Sequence, residues 1–163
     1  MIFSFLSQRR ASLDDLPRLL ELYADDSLGS QREVLSTSIS SSYLSAFRKI
    51  DADPNHYLMV VNFQKEENAR EHLVATCHLT LLPSLTFHGT LRLQIESVRV
   101  HSSYRGKGIG TQMIQWAIDY GKIHGAQLVQ LTTNKKRPEA LRFYKRFGFQ
   151  ATHEGMKLFI AIT

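Results

Sequence analysis

Three glycines recur at every second position in the run Tyr104-Arg105-Gly106-Lys107-Gly108-Ile109-Gly110-Thr111. Such a run lets the backbone approach a ligand closely and turn its N–H groups inward. A helix that begins inside it adds unpaired N–H donors and the positive end of its dipole. Arg105 and Lys107 add full charges, so the run suits a pyrophosphate. A glycine-rich strand–helix turn without a ligand would explain the glycines but leaves the cations unexplained. Two common phosphate sites do not fit. A P-loop needs four residues between its first glycine and Gly-Lys, then Ser or Thr, and here Gly108 follows Lys107. A dinucleotide fingerprint reads Gly-x-Gly-x-x-Gly. This run reads Gly-x-Gly-x-Gly, with no strand ending in an acid at the expected distance downstream.

The elements on either side must aim that run. Upstream, apolar residues alternate at Leu91, Leu93 and Ile95, then reappear at Val98 and Val100. A strand keeps one face only while parity holds, so the segment either crosses between two buried faces or carries an extra residue near Glu96-Ser97. An extra residue is a β-bulge, which bends a strand and often borders a functional site. Downstream, Ile109, Met113, Trp116, Ala117 and Tyr120 predict a helix from about Gly108 to His124, stopped by Gly125.

The rest of the chain fills in one domain. An edge strand is expected at Ser7 to Ala11. Ser12, with Asp14 and Asp15, then caps a helix over Leu13 to Ala24 in which Pro17 is tolerable near the start. The serine-rich stretch Ser27 to Ser42 reads as a loop, and Ile39 to Ile50 as a weak helix. Strands are expected at Tyr57 to Phe63, Leu73 to Leu81 and Gln127 to Thr132. Pro138 opens a helix ended by Gly148, and Lys157 to Ile162 reads as a closing strand. This order predicts an α/β fold: a single domain, residues 1–163, with a mixed, mostly antiparallel central sheet flanked by about four helices.

Composition narrows the class. The chain has 163 residues, 43% hydrophobic and 21% charged, which suits one globular core. Its single cysteine, Cys77, excludes an internal disulfide framework and points to a reducing cytoplasm. No apolar run reaches the roughly 18 residues that span a bilayer, and Met1 to Leu6 is too short for a signal peptide. Neither a membrane nor a metal is expected, since no Cys/His spacing suggests a structural site. Charge is uneven: residues 99–149 hold ten Lys/Arg against two acids, within a chain of net charge +5. That basic third suits an anionic ligand. Nucleic acid is disfavoured, because no recognition motif or run of stacking aromatics accompanies the charge.

With these motifs in order, the sequence resembles the GCN5-related N-acetyltransferases, the GNAT family. Arg105, Gly108 and Gly110 match its Arg/Gln-x-x-Gly-x-Gly/Ala loop. Ile95-Glu96-Ser97-Val98-Arg99-Val100 is similar to its bulged strand. Asn134 stands where the family commonly has an asparagine, and the segment from Ala140 to Phe149 resembles its Ala-x-x-Phe-Tyr-x-x-x-Gly-Phe stretch. The resemblance implies acetyl-coenzyme A as cosubstrate, with pantetheine lying as a pseudo-strand where the bulged strand splays from the next. It places Val98, Arg99, Val100, Arg105, Gly106, Lys107, Gly108, Ile109, Gly110, Thr111, Asn134 and Phe143 at the cofactor. A bulge would free backbone groups of Val98 to Val100 to pair with pantetheine amides, and a free N–H could stabilise an oxyanion.

Aminolysis of a thioester by direct attack, through a tetrahedral intermediate, needs a neutral amine, so a proton must be removed. Glu96 at the parity slip is the expected general base, directly or through water; His78 and His88 are rivals. Tyr144 matches the family's acid tyrosine and would donate to the departing thiolate, although its spacing with Leu141 and Phe147 also suits a core aromatic. Cys77 reads as a packed strand residue. The expected function is acetyl transfer to a primary amine of a small molecule. The alternatives are a protein lysine or N-terminal acetyltransferase, or a non-catalytic coenzyme A sensor. A looser similarity points to the family's aminoalkylphosphonate acetyltransferases. For the acceptor, Asp25, Asp26 and Glu33 suit a polyamine or lysine, whereas Arg32, Arg48 and Lys49 suit a phosphonate or carboxylate. A homodimer is compatible with this reading.

Overall fold

The structure, a computed structural model, describes residues 6–25, 30, 38–66 and 69–160. Among the described residues, five strands form one sheet in the order β1-β2-β3-β4-β5. They are β1 (Leu6–Arg10), β2 (His56–Phe63), β3 (His72–Pro83), β4 (Leu91–Val100) and β5 (Leu128–Leu131). The first four pair antiparallel, and β5 runs parallel to β4. A parallel neighbour needs a long crossover. Helix α4 (Ile109–Ile123) supplies it.

The two faces of the sheet are sorted by parity. Met59, Val61, Ala75, Cys77, Leu79, Leu93 and Ile95 face α4 and α5 (Pro138–Lys145), meeting Ile109, Met113, Ile114 and Ala117. Leu58 and Val60, one step out of phase, meet α1 (Leu16–Ala24) and α2 (Ser41–Ala52) through Leu16, Leu19, Leu20 and Phe47. Each such side chain, fully buried, contributes roughly 1.5–3 kcal/mol. On the α4 side the approach is close: a Cβ on Gly121 would lie 3.0 Å from the Leu93 side chain.

Local signals set the helix ends. Ser12 and Asp15 form a capping box, with a turn of 3-10 helix at Leu13–Asp15 leading into α1, and Pro17 sits in the first turn of α1. Gly125 stops α4 in the left-handed region, with φ 78°. A one-turn helix, α3 (Thr86–Gly89), closes the β3–β4 hairpin, with Phe87 and His88 also left-handed. It was not apparent in the sequence.

The closing strand is overturned: residues 157–160 belong to no strand and Leu158, Phe159 and Ile160 are exposed, so they gain neither ladder bonds nor burial within the protomer. The serine-rich loop falls mostly outside the described residues, as do Asp26, Arg32, Glu33 and Ile162. Among the described residues, no helix is long and apolar enough to cross a membrane.

Candidate active site

The parity slip in β4 is a bulge. His78 pairs with Glu96 and Thr76 with Arg99, so Ser97 and Val98 together oppose Cys77. Ser97 takes φ 52°, a left-handed conformation that a non-glycine residue adopts at a cost of about 1–2 kcal/mol. On the other side of β4, pairing with β5 covers only Arg92 to Ile95, and from Glu96 to Val100 the strand has no β5 partner. β5 itself ends at Leu131, so the last five residues of β4 run on past it.

The glycine run follows the C-terminal end of β4, after a 3-10 turn at Ser102–Tyr104. Gly106 and Gly108 adopt φ 75° and 81°, and Gly108 caps α4. Gln112 N–H donates to the Gly108 carbonyl at 3.0 Å. The N–H groups of Ile109, Gly110 and Thr111 precede that first helical bond and have no partner within the helix. The Ile109 side chain is buried, so Ile109 can offer a ligand only its backbone. A Cβ on Gly110 would lie 3.6 Å from both Phe143 and Val100, which brings β4, α4 and α5 together at one point. Lys107 sits 5.0 Å above the Tyr104 ring and Arg146 5.4 Å from the Phe143 ring centroid. Asn134 is exposed beyond β5; its Oδ1 accepts from Lys136 N–H at 2.9 Å and its carbonyl from Arg137 N–H at 2.9 Å, leading into α5.

Two arginines change the expected availability of the backbone. Arg99 Nη1 donates to the Val98 carbonyl at 2.9 Å, and Arg105 Nε to the Val100 carbonyl at 2.9 Å. Arg105 Nη2 also donates to the Asp25 carbonyl at 2.6 Å and lies 3.5 Å from its carboxylate. That carboxylate accepts from Ser102 N–H at 2.5 Å. Arg105 therefore ties the loop to the end of α1, and a ligand strand using the carbonyls of Val98 or Val100 would share each with an arginine through its second lone pair. The Asp25 contact spans 80 residues of sequence. No local pattern announces it.

The candidate acid and base occupy different surroundings. Glu96 is exposed at the bulge, cross-strand from His78. His78 Nε2 lies 2.9 Å from His56 Nδ1, and His56 Nε2 lies 3.7 Å from Asp53. Burial, then the nearby His56, lowers the His78 pKa to about 4, which keeps that imidazole neutral. Tyr144 is 9% exposed and packs edge-on to Phe143 and Phe149. Burial and Cys77 push its pKa up to about 12, against the opposing pull of Arg99 and Arg137. The phenol keeps its proton and can act as a donor. Cys77 is buried and its thiol is raised to about 12 by desolvation, so it stays protonated. His88 lies apart, in α3 at the hairpin tip.

This combination of a bulged strand that outruns its parallel neighbour and a glycine-capped helix coincides with a sequence match. The model of the acetyltransferase (GNAT) family aligns with residues 16–149. The chain belongs to the GNAT family. Relatives differ widely in acceptor. An aminoalkylphosphonate N-acetyltransferase of Salmonella typhimurium is 40% identical over 60 residues, 37% of this chain and 39% of that protein. A glucosamine 6-phosphate N-acetyltransferase of Trypanosoma brucei brucei is 33% identical over 86 residues, 53% of this chain and 56% of that one. The chain thus spans less than two thirds of these relatives. Among solved structures, one from Bacillus halodurans C-125 described as a transcriptional regulator is 42% identical, with a TM-score of 0.88 over 95% of this chain and 99% of that one. A putative acetyltransferase from Agrobacterium tumefaciens is 27% identical, with a TM-score of 0.77 over 94% and 99%.

Proposed function

We propose that this GNAT domain transfers the acetyl group of acetyl-coenzyme A to a primary amine of a small molecule. What supports this most is the stretch of β4 from Glu96 to Val100, which runs past the end of β5 beside the left-handed Gly106 and Gly108 turn. The edge of β4 beyond β5 suits an extended amide-bearing arm, and the turn with the first N–H groups of α4 fits a pyrophosphate. A Cβ at Gly110 would make ordinary van der Waals contact with Phe143 and Val100, so the helix entry lies directly against both.

When bound, the thioester supplies an activated acetyl group and a thiolate leaving group. The chain's residues would then divide the work. Ile109, Gly110 and Thr111 offer backbone donors, Lys107 and Arg105 add positive charge, and Asn134 and Phe143 flank the cosubstrate. Glu96 takes the proton from the amine nitrogen, directly or through water, on the α1/α2 face that His78 shares. Tyr144 holds its proton and donates a hydrogen bond to the departing sulfur. A full transfer from a phenol at about 12 to a thiolate near 8.5 would be uphill, so stabilisation by hydrogen bonding is the reading its burial favours.

The test is a screen of amines with acetyl-coenzyme A, read by release of free thiol. It should include aminoalkylphosphonates, amino sugars, polyamines, amino acids and a lysine-rich peptide. Acceleration by one small-molecule class supports the proposal, and transfer confined to the peptide overturns the small-molecule assignment. A second reading draws on the Bacillus halodurans structure described as a transcriptional regulator, 42% identical to this chain. In that reading coenzyme A binds without turnover, and no amine in the screen releases thiol.

A further inference from the structure

Strand register places a polar patch on the sheet face that Glu96 shares with α1 and α2. His56 stands opposite Thr80, Thr80 opposite Gln94 and Gln94 opposite Gln130, one row across four strands. On one side of that row lie His78 and Glu96. On the other lies Arg92, opposite Leu82 and Leu128. Helices α1 and α2 cover Leu58 and Val60 on β2. Arg92, Gln94 and Gln130 are half-buried, and Glu96 is exposed. The floor of this patch is therefore polar where the neighbouring β2 surface is apolar.

Arg92 is the residue whose place in this patch packing does not explain. Its Nε is shut off from solvent and donates to nothing, and no carboxylate among the described residues pairs with its guanidinium. A buried donor without an acceptor is disfavoured, and native proteins keep few of them idle. Glu96, four residues on, likewise has no cation paired with it among the described residues. The two do not neutralise each other, because along the strand their Cα atoms are about 13 Å apart. Between them Gln94 faces the same way, its Oε1 accepting from Gln130 Nε2 at 2.7 Å. The Gln94 amide and Gln130 Oε1 keep hydrogen-bonding capacity for a ligand.

We propose that the acceptor is a zwitterion, a primary amine joined by a spacer of several bonds to a phosphate, phosphonate or carboxylate, with Arg92 holding the anion while Glu96 meets the amine. A guanidinium is a planar fork that matches such oxyanions with two hydrogen bonds at once. An anion on Arg92 gives the buried Nε its acceptor. The separation from Glu96 distinguishes this class from α-amino acids, whose two charges lie too close together to reach both residues. A polyamine would bring a second cation against Arg92, which this face repels. The role given to the amine rests on the acetyl-transfer reading above; the anion site does not.

Calorimetric titration of the full chain with matched amines, in the presence of coenzyme A, tests the anion site. The pairs are 4-aminobutyl phosphate against 4-aminobutanol and 5-aminopentanoate against pentylamine, with spermidine as the polycation. In the wild type at least one anionic member should bind roughly 10- to 100-fold more tightly than its partner, the scale of a hydrogen bond to a charged group. Which pair responds separates phosphate from carboxylate. Arg92→Met keeps an unbranched stem and should bring that ratio to about one, and Arg92→Lys, a charge without the fork, should recover part of it. In turnover the Arg92→Met loss should fall on KM rather than kcat. Equal binding within both pairs overturns the proposal, and that result needs no variant to fold. So does tighter binding of spermidine than of either anion, or a ratio that survives Arg92→Met. Thiol release is read separately: an anionic amine that binds through Arg92 without being acetylated refutes acetyl transfer and leaves the anion site standing.

Discussion

Replacing Gly108 by asparagine and by valine separates two consequences of one backbone angle. Gly108 sits at φ 81° immediately before α4. A β-branched side chain there should cost roughly 2–3 kcal/mol of strain. In a chain of this size that lowers the melting temperature by about 4–10 °C. Asparagine tolerates the left-handed region, so its cost should stay below about 1 kcal/mol, a shift of a few degrees at most. Both side chains intrude on the space where the turn would meet a pyrophosphate. Losing one charge-assisted hydrogen bond there costs about 1.5–3 kcal/mol, or roughly 10- to 100-fold in affinity. The assay pairs thermal melts with calorimetric titration of coenzyme A. Gly108→Asn should bind at least tenfold more weakly while melting near the wild type, whereas Gly108→Val should lose on both measures. An asparagine variant that binds coenzyme A within twofold of wild type would refute the assignment of this turn to the cosubstrate.

Other substitutions probe the bulge and the buried groups. Tyr144→Phe keeps the packing against Phe143 and Phe149, so turnover should fall about 100-fold or more with little change in stability; near-normal turnover would remove Tyr144 from the chemistry. At Ser97, φ 52° predicts that Ser97→Val lowers stability by about 1–2 kcal/mol relative to Ser97→Gly, measured by urea denaturation, and equal values would argue against the bulge. The His78 pKa, lowered to about 4 from 6.5, makes the unfolded chain the stronger proton acceptor between those values. Stability from this residue is full above pH 6.5 and declines as pH falls toward 4, by about 1–2 kcal/mol after allowance for its partial exposure. Melting curves across that range should flatten in His78→Gln, and an unchanged slope would count against the buried neutral imidazole.

Much of the site was visible as local pattern. The parity break between Ile95 and Val98 reflects a two-residue period that only a bulge or a change of face can interrupt, and the register shift opposite Cys77 is that bulge. Glycines at 106 and 108 take the left-handed angles that glycine alone adopts without strain. The Arg105 contacts had no such signature. In sequence Arg105 is simply a cation beside glycines; in the fold its guanidinium reaches across 80 residues to Asp25 and back to the Val100 carbonyl. The pairing of His56 with His78 likewise exists only because β2 and β3 align in one register.

The segment at 157–160 shows the limit from the other direction. Its residue types favour a strand, yet a strand needs a neighbour, and side-chain chemistry does not say which edge or which molecule provides one. The amino-acid order determined what short-range sterics and periodicity control: the helices other than α3, the two buried faces of the sheet, the bulge and the glycine cap. Tertiary structure decided which carbonyls the arginines occupy, how far Tyr144 is removed from water, and how far β4 runs past β5. Those depend on distances between segments remote in the chain, which local propensity does not encode.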